Sequence, residues 1–303
     1  MDKKIKFAWV NTNLIVCGGI ITNYEYVSRL KKLGYEADIY AEEGNPALRD
    51  TYRIDHRPLR DLSAFDDDDI IIANRWEQCE ALNQFKGKKF QFVQGDDLYL
   101  LGGSEQCKRW RNSPEWKLIG VSSFALKNWG RGEVIPNGLS DIFKVPNYQV
   151  KDIDVLVEGN NEPNKNIDEA IALAKQIGGR IVWLGRETKA VEGVETITNP
   201  PFNEIPRIYQ RAKYMIKLSK SEGFCLPILE AMASGAIVVT RPMGGNDFCE
   251  YGINCLEASG TTVELIKTLS DEDFEEIRLN AKETTKLFSW DESTAKLIQI
   301  CSR

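Results

Sequence analysis

Ser219-Lys220-Ser221-Glu222-Gly223-Phe224-Cys225-Leu226-Pro227-Ile228-Leu229-Glu230-Ala231-Met232-Ala233-Ser234-Gly235 joins two apolar runs, Tyr214 to Leu218 before it and Ala236 to Thr240 after it. Pro227 suits the first position of a helix, Leu226, Leu229, Met232 and Ala233 recur at helical spacing, and Gly235 can take the left-handed conformation that ends one. The stretch predicts strand, loop, short helix, strand, as in an α/β sheet.

A helix that starts just after a strand presents backbone N–H groups and a positive dipole end at the carboxyl edge of the sheet, where phosphate binds readily. Two carboxylates, Glu222 in the loop and Glu230 about one turn into the helix, flank that place. They fit if sugar or ribose hydroxyls donate to them while the helix start holds a diphosphate between them. The residues alone allow equally that Glu230 is solvated and Glu222 complements the dipole.

Glu222 and Glu230, separated by seven residues and set in Glu222-Gly223-Phe224 and Leu226-Pro227-Ile228-Leu229-Glu230-Ala231-Met232-Ala233, resemble the E-x7-E signature of retaining glycosyltransferases of family 4. The likeness continues through Gly235, the run Ala236 to Thr240, Gly244-Gly245-Asn246, Glu250 and Gly252-Ile253-Asn254, and is specific between Phe202 and Leu256. It implies that Glu222 contacts the donor sugar and Glu230 the nucleotide ribose, with Gly223, Phe224, Cys225 and Leu226 around the donor.

Composition bounds the alternatives. A chain of 303 residues can hold two ordinary α/β domains, and 42% hydrophobic with 28% charged residues is that of a soluble protein. The net charge of -6 gives no general attraction to nucleic acid. Seven dispersed cysteines with no C-x2-C pair argue against a disulfide framework and a zinc site, and fit a reducing cytoplasm. Met1-Asp2-Lys3-Lys4-Ile5-Lys6 is basic, but the apolar run after it is too short for a signal peptide. No stretch approaches the roughly 18 apolar residues of a membrane span, so membrane contact would be peripheral. The single histidine, His56, lies in a polar stretch and reads as a solvated surface residue.

The chain opens as a βαβ unit: a strand over Ile5 to Val10, Gly18-Gly19 at a helix entrance, a helix closed by Gly34, and a strand over Tyr35 to Tyr40. Gly18 and Gly19 let backbone approach a phosphate, or simply make a tight turn. The arrangement resembles the opening of family 4 enzymes, where this loop faces the donor. Asp66 to Asp69 reads as a solvated turn rather than a metal site, because consecutive carboxylates do not converge easily on one ion. Asn74 to Phe85 reads as helical, Phe90 to Val93 as the fourth strand, and Gly102 to Arg111 as a polar, mobile stretch. Gln94-Gly95-Asp96-Asp97 then falls at the carboxyl edge, where Asp96 or Asp97 either orients an acceptor hydroxyl or is a polar turn. Lys117 to Val121 and Glu133 to Ile135 complete the sheet, with a serine-capped helix over Ser122 to Trp129 between them. Ile135-Pro136-Asn137-Gly138 resembles the element that closes the first domain of the family.

Asp141 to Asp152, with Pro146, reads as a linker, and Ile153 to Val157 starts a second α/β domain. In family 4 the loop corresponding to Glu158 to Asn166 carries an Arg and a Lys that neutralise the donor diphosphate. Lys165 matches the Lys, but Asn160 or Asn161 stands near the place of the Arg. Arg186 and Lys220 are the candidates to replace it, and each is equally a surface residue. Trp290 in a terminal helix reads as a packing anchor.

The resemblance thus implies a GT-B fold, two Rossmann-like domains with parallel sheets facing a central cleft. The expected domains are 1–145 for the acceptor, 146–286 for the nucleotide-sugar donor, and 287–303 as a terminal helix crossing back to the first. The expected activity is retaining, metal-independent transfer of a hexose-type sugar from a nucleotide-diphosphate donor to a glycan, lipid-linked or small-molecule hydroxyl, with no cofactor. Glu222, Lys165 and Asp96 are the expected catalytic residues, and Glu230, Gly18, Gly19, Arg186 and Gly223 to Leu226 the expected donor contacts. A phosphorylase or synthase acting on a sugar phosphate or disaccharide, and a noncatalytic sugar-binding subunit, would share the two glutamates.

Overall fold

Continuous apolar runs such as Phe7-Ala8-Trp9-Val10 and Ile70-Ile71-Ile72-Ala73 are what strands covered on both faces require, and they form two all-parallel sheets. The computed structural model describes residues 5–11, 14, 17–96, 98, 102–144 and 150–303. Met1 to Lys4, Asp97 and Pro146, on which parts of the sequence reading fall, lie outside that description. The chain divides into two compact units, one running to Gly138 and including Ser289–Arg303, the other Leu139–Phe288.

In the first unit the strands are β1 (Lys6–Val10), β2 (Glu36–Tyr40), β3 (His56–Arg57), β4 (Ile70–Ala73), β5 (Lys88–Val93), β6 (Trp116–Gly120) and β7 (Glu133–Val134). Among the described residues they are ordered β3-β2-β1-β4-β5-β6-β7. Phe90 to Val93 therefore belongs to the fifth strand, because the two residues at His56 form a short edge strand beside β2. His56 is half-buried there, with its ring where a side chain on Gly44 would lie. The acidic run is likewise not wholly a solvated turn. Asp69 is fully buried, and its carboxylate accepts from the Lys6 and Asp66 amides at 3.0 and 2.8 Å. Where a mobile stretch was expected, Glu105–Asn112 is a helix. Ser104 caps it by accepting from the Cys107 amide, and Cys107, Trp110 and Arg111 face inward. The helix predicted over Asn74 to Phe85 is shorter, a 3-10 turn at Trp76–Gln78 followed by Cys79–Leu82.

The last helix, Trp290–Cys301, packs on the first, Gly18–Lys32. Trp290 is 1% exposed and meets Tyr26 edge-to-face at 5.2 Å. A side chain at Gly138 would collide with the Trp290 backbone at 2.2 Å, so that glycine is required by close approach. Arg29 donates to Asp291 at 2.9 Å, and the Ser293 hydroxyl to the Pro136 carbonyl at 2.7 Å.

The second unit has β8 (Ile153–Glu158), β9 (Ile181–Gly185), β10 (Glu195–Thr198), β11 (Ala212–Lys217), β12 (Ile237–Thr240) and β13 (Leu256–Glu257), ordered β10-β9-β8-β11-β12-β13. Reversal of strand order on either side of β8 and β11 makes their carboxyl ends the switch point, where ligands bind in doubly wound sheets. The helix Leu226–Ala233 follows β11 as expected, starting one residue before Pro227. It stops at Gly235, which takes φ +77°, while the Ala236 amide bonds back to the Ala231 carbonyl at 3.0 Å. Ile228, Leu229, Ala231 and Met232 are fully buried, each large one contributing about 1.5–3 kcal/mol by its removal from water. Among the described residues no helix is long and apolar enough to cross a membrane.

Candidate active site

The loop from Ser219 to Cys225 leaves the carboxyl end of β11 and is held from two sides. Asn164 brackets its start: the Asn164 side chain donates to the Ser221 carbonyl at 2.9 Å, and the Asn164 backbone carbonyl accepts from the Lys220 amide at 2.8 Å. On the other side lies the turn after β12. The Glu222 amide donates to the Met243 carbonyl at 3.0 Å and the Cys225 amide to the Gly245 carbonyl at 2.8 Å. Gly245 is indispensable to this contact, since a Cβ there would lie 2.4 Å from the Gly223 carbonyl carbon. The Asn246 side chain braces the turn by donating to the Arg241 carbonyl and accepting from the Met243 amide.

Charge concentrates where this loop meets the loop before the helix Ile167–Ile177. Lys165 Nζ donates to Glu222 Oε1 at 2.8 Å, so the sequence candidates Lys165 and Glu222 are in direct contact. Lys217, at the end of β11, is a residue the sequence reading passed over. Its side chain is only 2% exposed, donates to Glu158 and lies 3.7 Å from Glu222. The four groups alternate in sign. Burial works against the Lys217 charge, but Glu158 and then Glu222 outweigh it and raise its pKa above the usual lysine value. Burial also pushes the Glu222 carboxyl up, while Lys217 and then Lys165 pull it down, and the net direction is downward. Glu222 is therefore a carboxylate.

Glu230 is buried on the following helix at 8% exposure. The Tyr209 hydroxyl is raised well above its ordinary pKa, first by burial, then by Glu158 and Glu230. Among the other donor candidates, Cys225 is fully buried and its thiol is pushed up by that burial, while Leu226 is also in the core. Phe224 packs against Phe248 and Phe288 with ring centres 5.4 and 5.5 Å away. The side chains of Phe224, Cys225 and Leu226 are thus engaged in packing. The Ser221 hydroxyl and Asn164 Oδ1 are buried without a hydrogen-bond partner among the described residues, and the buried Ser219 hydroxyl lies beside Glu222.

Arg186 stands at the turn after β9. Its amide donates to Asn160 Oδ1 at 2.8 Å and its guanidinium lies 3.7 Å from Glu162. Asn160, near the place of the expected Arg, thus joins two loops of the unit rather than carrying charge. Lys220 is exposed.

The remaining candidates belong to the first unit. Gly18 and Gly19 open the helix Gly18–Lys32, and neither has a left-handed φ. Gln94 crosses Gly19: Gln94 Nε2 donates to the Gly19 carbonyl at 3.0 Å and also to Asn74. This ties the start of the helix Gly18–Lys32 to the ends of β4 and β5. Asp96 is 5% exposed, accepts from Asn128 at 2.9 Å and pairs with Lys127 at 2.7 Å.

Comparison with known proteins follows the same lines. Residues 144–271 match the family model described as glycosyl transferases group 1. An uncharacterized glycosyltransferase of Methanocaldococcus jannaschii, MJ1178, is 26% identical over an alignment of 228 positions that covers 66% of this chain and 64% of that relative. The structure is similar to that of Anabaena Alr3699/HepE in complex with UDP and glucose, with a TM-score of 0.80 at 14% identity, covering 98% of this chain and 99% of that one. It is also similar to a glycosyltransferase of Rickettsia africae, with a TM-score of 0.71 at 17% identity and 98% coverage of both chains. Sucrose-phosphate synthase of Thermosynechococcus elongatus gives 0.74 at 15% identity and 98% coverage of both. The fold is therefore GT-B, the α/β architecture of two parallel sheets found in these glycosyltransferases. The match to glycosyl transferases group 1 falls wholly within its second unit.

Proposed function

We propose that this chain is a glycosyltransferase that moves a sugar from a nucleotide-diphosphate donor to an acceptor hydroxyl, with retention of anomeric configuration and without a metal. The observation that carries the reading is the Lys165–Glu222 pair at the start of the loop leading to the helix Leu226–Ala233, with Glu230 buried on that helix. The E-x7-E resemblance and the match to glycosyl transferases group 1 support it. So does the complex of Anabaena HepE with UDP-glucose, a relative in fold.

In this reading the donor diphosphate lies against the start of that helix and Lys165, which hold the charge that develops as the glycosidic bond breaks. Glu222 accepts from donor sugar hydroxyls and Glu230 from the ribose. The acceptor attacks the face from which the nucleotide departs, and the leaving phosphate takes its proton, so a dedicated side-chain base is not compulsory. Asp96 is assigned to the acceptor hydroxyl, and Gly18 and Gly19 to the donor. The setting is cytoplasmic, with membrane contact only at the periphery.

The replacement of the diphosphate Arg by Asn160, and the engagement of Arg186 by Glu162, favour one alternative, a module that binds nucleotide sugar without turnover. Incubation with a panel of UDP-, GDP-, ADP- and dTDP-sugars in EDTA decides between them, with the released sugar or product read by proton NMR. The proposal expects turnover of one donor and an anomeric configuration that matches it. Inversion overturns the retaining assignment, and binding without turnover favours the module.

A further inference from the structure

Lys217 is a buried cation in a strand whose preceding residue, Ile216, pairs with Val157 of β8, so it comes beside Glu158. An ammonium in such a place is costly unless it is paired, and it could be replaced by an apolar residue wherever only packing was needed. Here it faces two carboxylates, Glu158 and Glu222, and Glu222 also receives Lys165. The other groups around Glu222 and Glu158 are the Ser219 side chain, the Cys225 thiol and the Tyr209 hydroxyl. Two ammonium groups thus balance two carboxylates. Yet Lys165, 21% exposed, is the one matched to the donor diphosphate, and a diphosphate competes with Glu222 for it.

We propose that Lys217 is a positioning residue that keeps Glu222 ionised and in place when Lys165 turns to the donor diphosphate. The proposal rests on the glycosyltransferase reading. Lys217 does the work from beneath: its 2% exposure keeps it from the ligand, while its 3.7 Å separation from Glu222 gives that carboxylate a second cation that does not leave. With Lys217 neutral, Glu222 would retain Lys165 and the diphosphate would lose it.

The test compares UDP with uridine by calorimetry, in wild type, in Glu158→Gln and in Lys217→Met/Glu158→Gln, which removes the buried pair together and leaves neither charge alone. The expected result is at least a tenfold loss of UDP affinity in the double variant with uridine affinity unchanged, while Glu158→Gln keeps the wild-type ratio. An unchanged ratio in the double variant overturns the proposal, as does an equal loss for both ligands, which marks a purely structural residue. Wild type alone gives a second reading through carbon NMR titration of the Glu222 carboxyl. Its midpoint should stay below the ordinary carboxyl range with UDP saturating, and a rise above that range overturns the proposal. If wild type binds none of UDP, GDP, ADP and dTDP, the glycosyltransferase reading itself falls and takes this inference with it.

Discussion

Lys165 and Glu222, 57 residues apart in the chain, meet at 2.8 Å, and each is the other's counter-charge. Replacing Lys165 by Met leaves Glu222 with Lys217 at 3.7 Å, so the fold should survive while the diphosphate loses its cation. Lys165→Met is therefore expected to lower kcat by about a hundred- to a thousandfold, the usual cost of one electrostatic contact to a leaving group. Urea denaturation should show a change of no more than roughly 1–2 kcal/mol. Near wild-type kcat would remove Lys165 from the mechanism.

Gly245 lets two loops touch. A Cβ there would lie 2.5 Å from the Glu222 carbonyl oxygen, and this oxygen is backbone that cannot swing aside. Gly245→Ala should displace the loop bearing Glu222, with a loss on the order of 1–3 kcal/mol in stability. Nucleotide binding should weaken at least tenfold. A variant that melts and binds like wild type would show that the loop has room to shift.

The contribution of Lys151 to stability should rise in alkali. Lys151 is lowered to about 8, by burial first and then by Arg278, and donates to the Gly235 carbonyl at 2.8 Å. Between about pH 8 and 10.5 the unfolded chain binds the proton that the folded chain has lost, so the slope of unfolding free energy with pH is positive for this group. Its contribution, reduced by the partial exposure of the site, is on the order of 1 kcal/mol. Denaturation of wild type and Lys151→Met across pH 7 to roughly 10.5 checks it. The difference in stability between them should shift in favour of wild type as pH rises, and a constant difference would contradict the assignment.

Much of this was legible from residues alone where local rules act. The alternation of apolar runs with helical periodicity gave both sheets, and Pro227 and Gly235 marked the helix Leu226–Ala233 because φ preferences are local. Lys165 and Glu222 were legible only through their motif. Lys217 was not, since a lysine at a strand end reads as solvated and its partner Glu158 lies 59 residues away across the β8–β11 register. The charges of the helix Glu105–Asn112 mask the inward face of Cys107 and Trp110, so its periodicity is hidden in the sequence and only the Ser104 cap is legible. Asp69 was read with its three acidic neighbours, and only the fold turned it toward the Lys6 and Asp66 amides. Gly19 stands open between ligand and turn in the sequence, and only the fold brings the Gln94 side chain across it.

The most direct measurement is calorimetric titration of UDP, GDP, ADP and dTDP into wild type and Glu230→Ala, with EDTA present. The account predicts that one nucleotide binds without metal and that Glu230→Ala weakens it about tenfold or more, as expected when a hydrogen bond to a charged group is lost. Binding of none of the four, or equal binding by the variant, would contradict it.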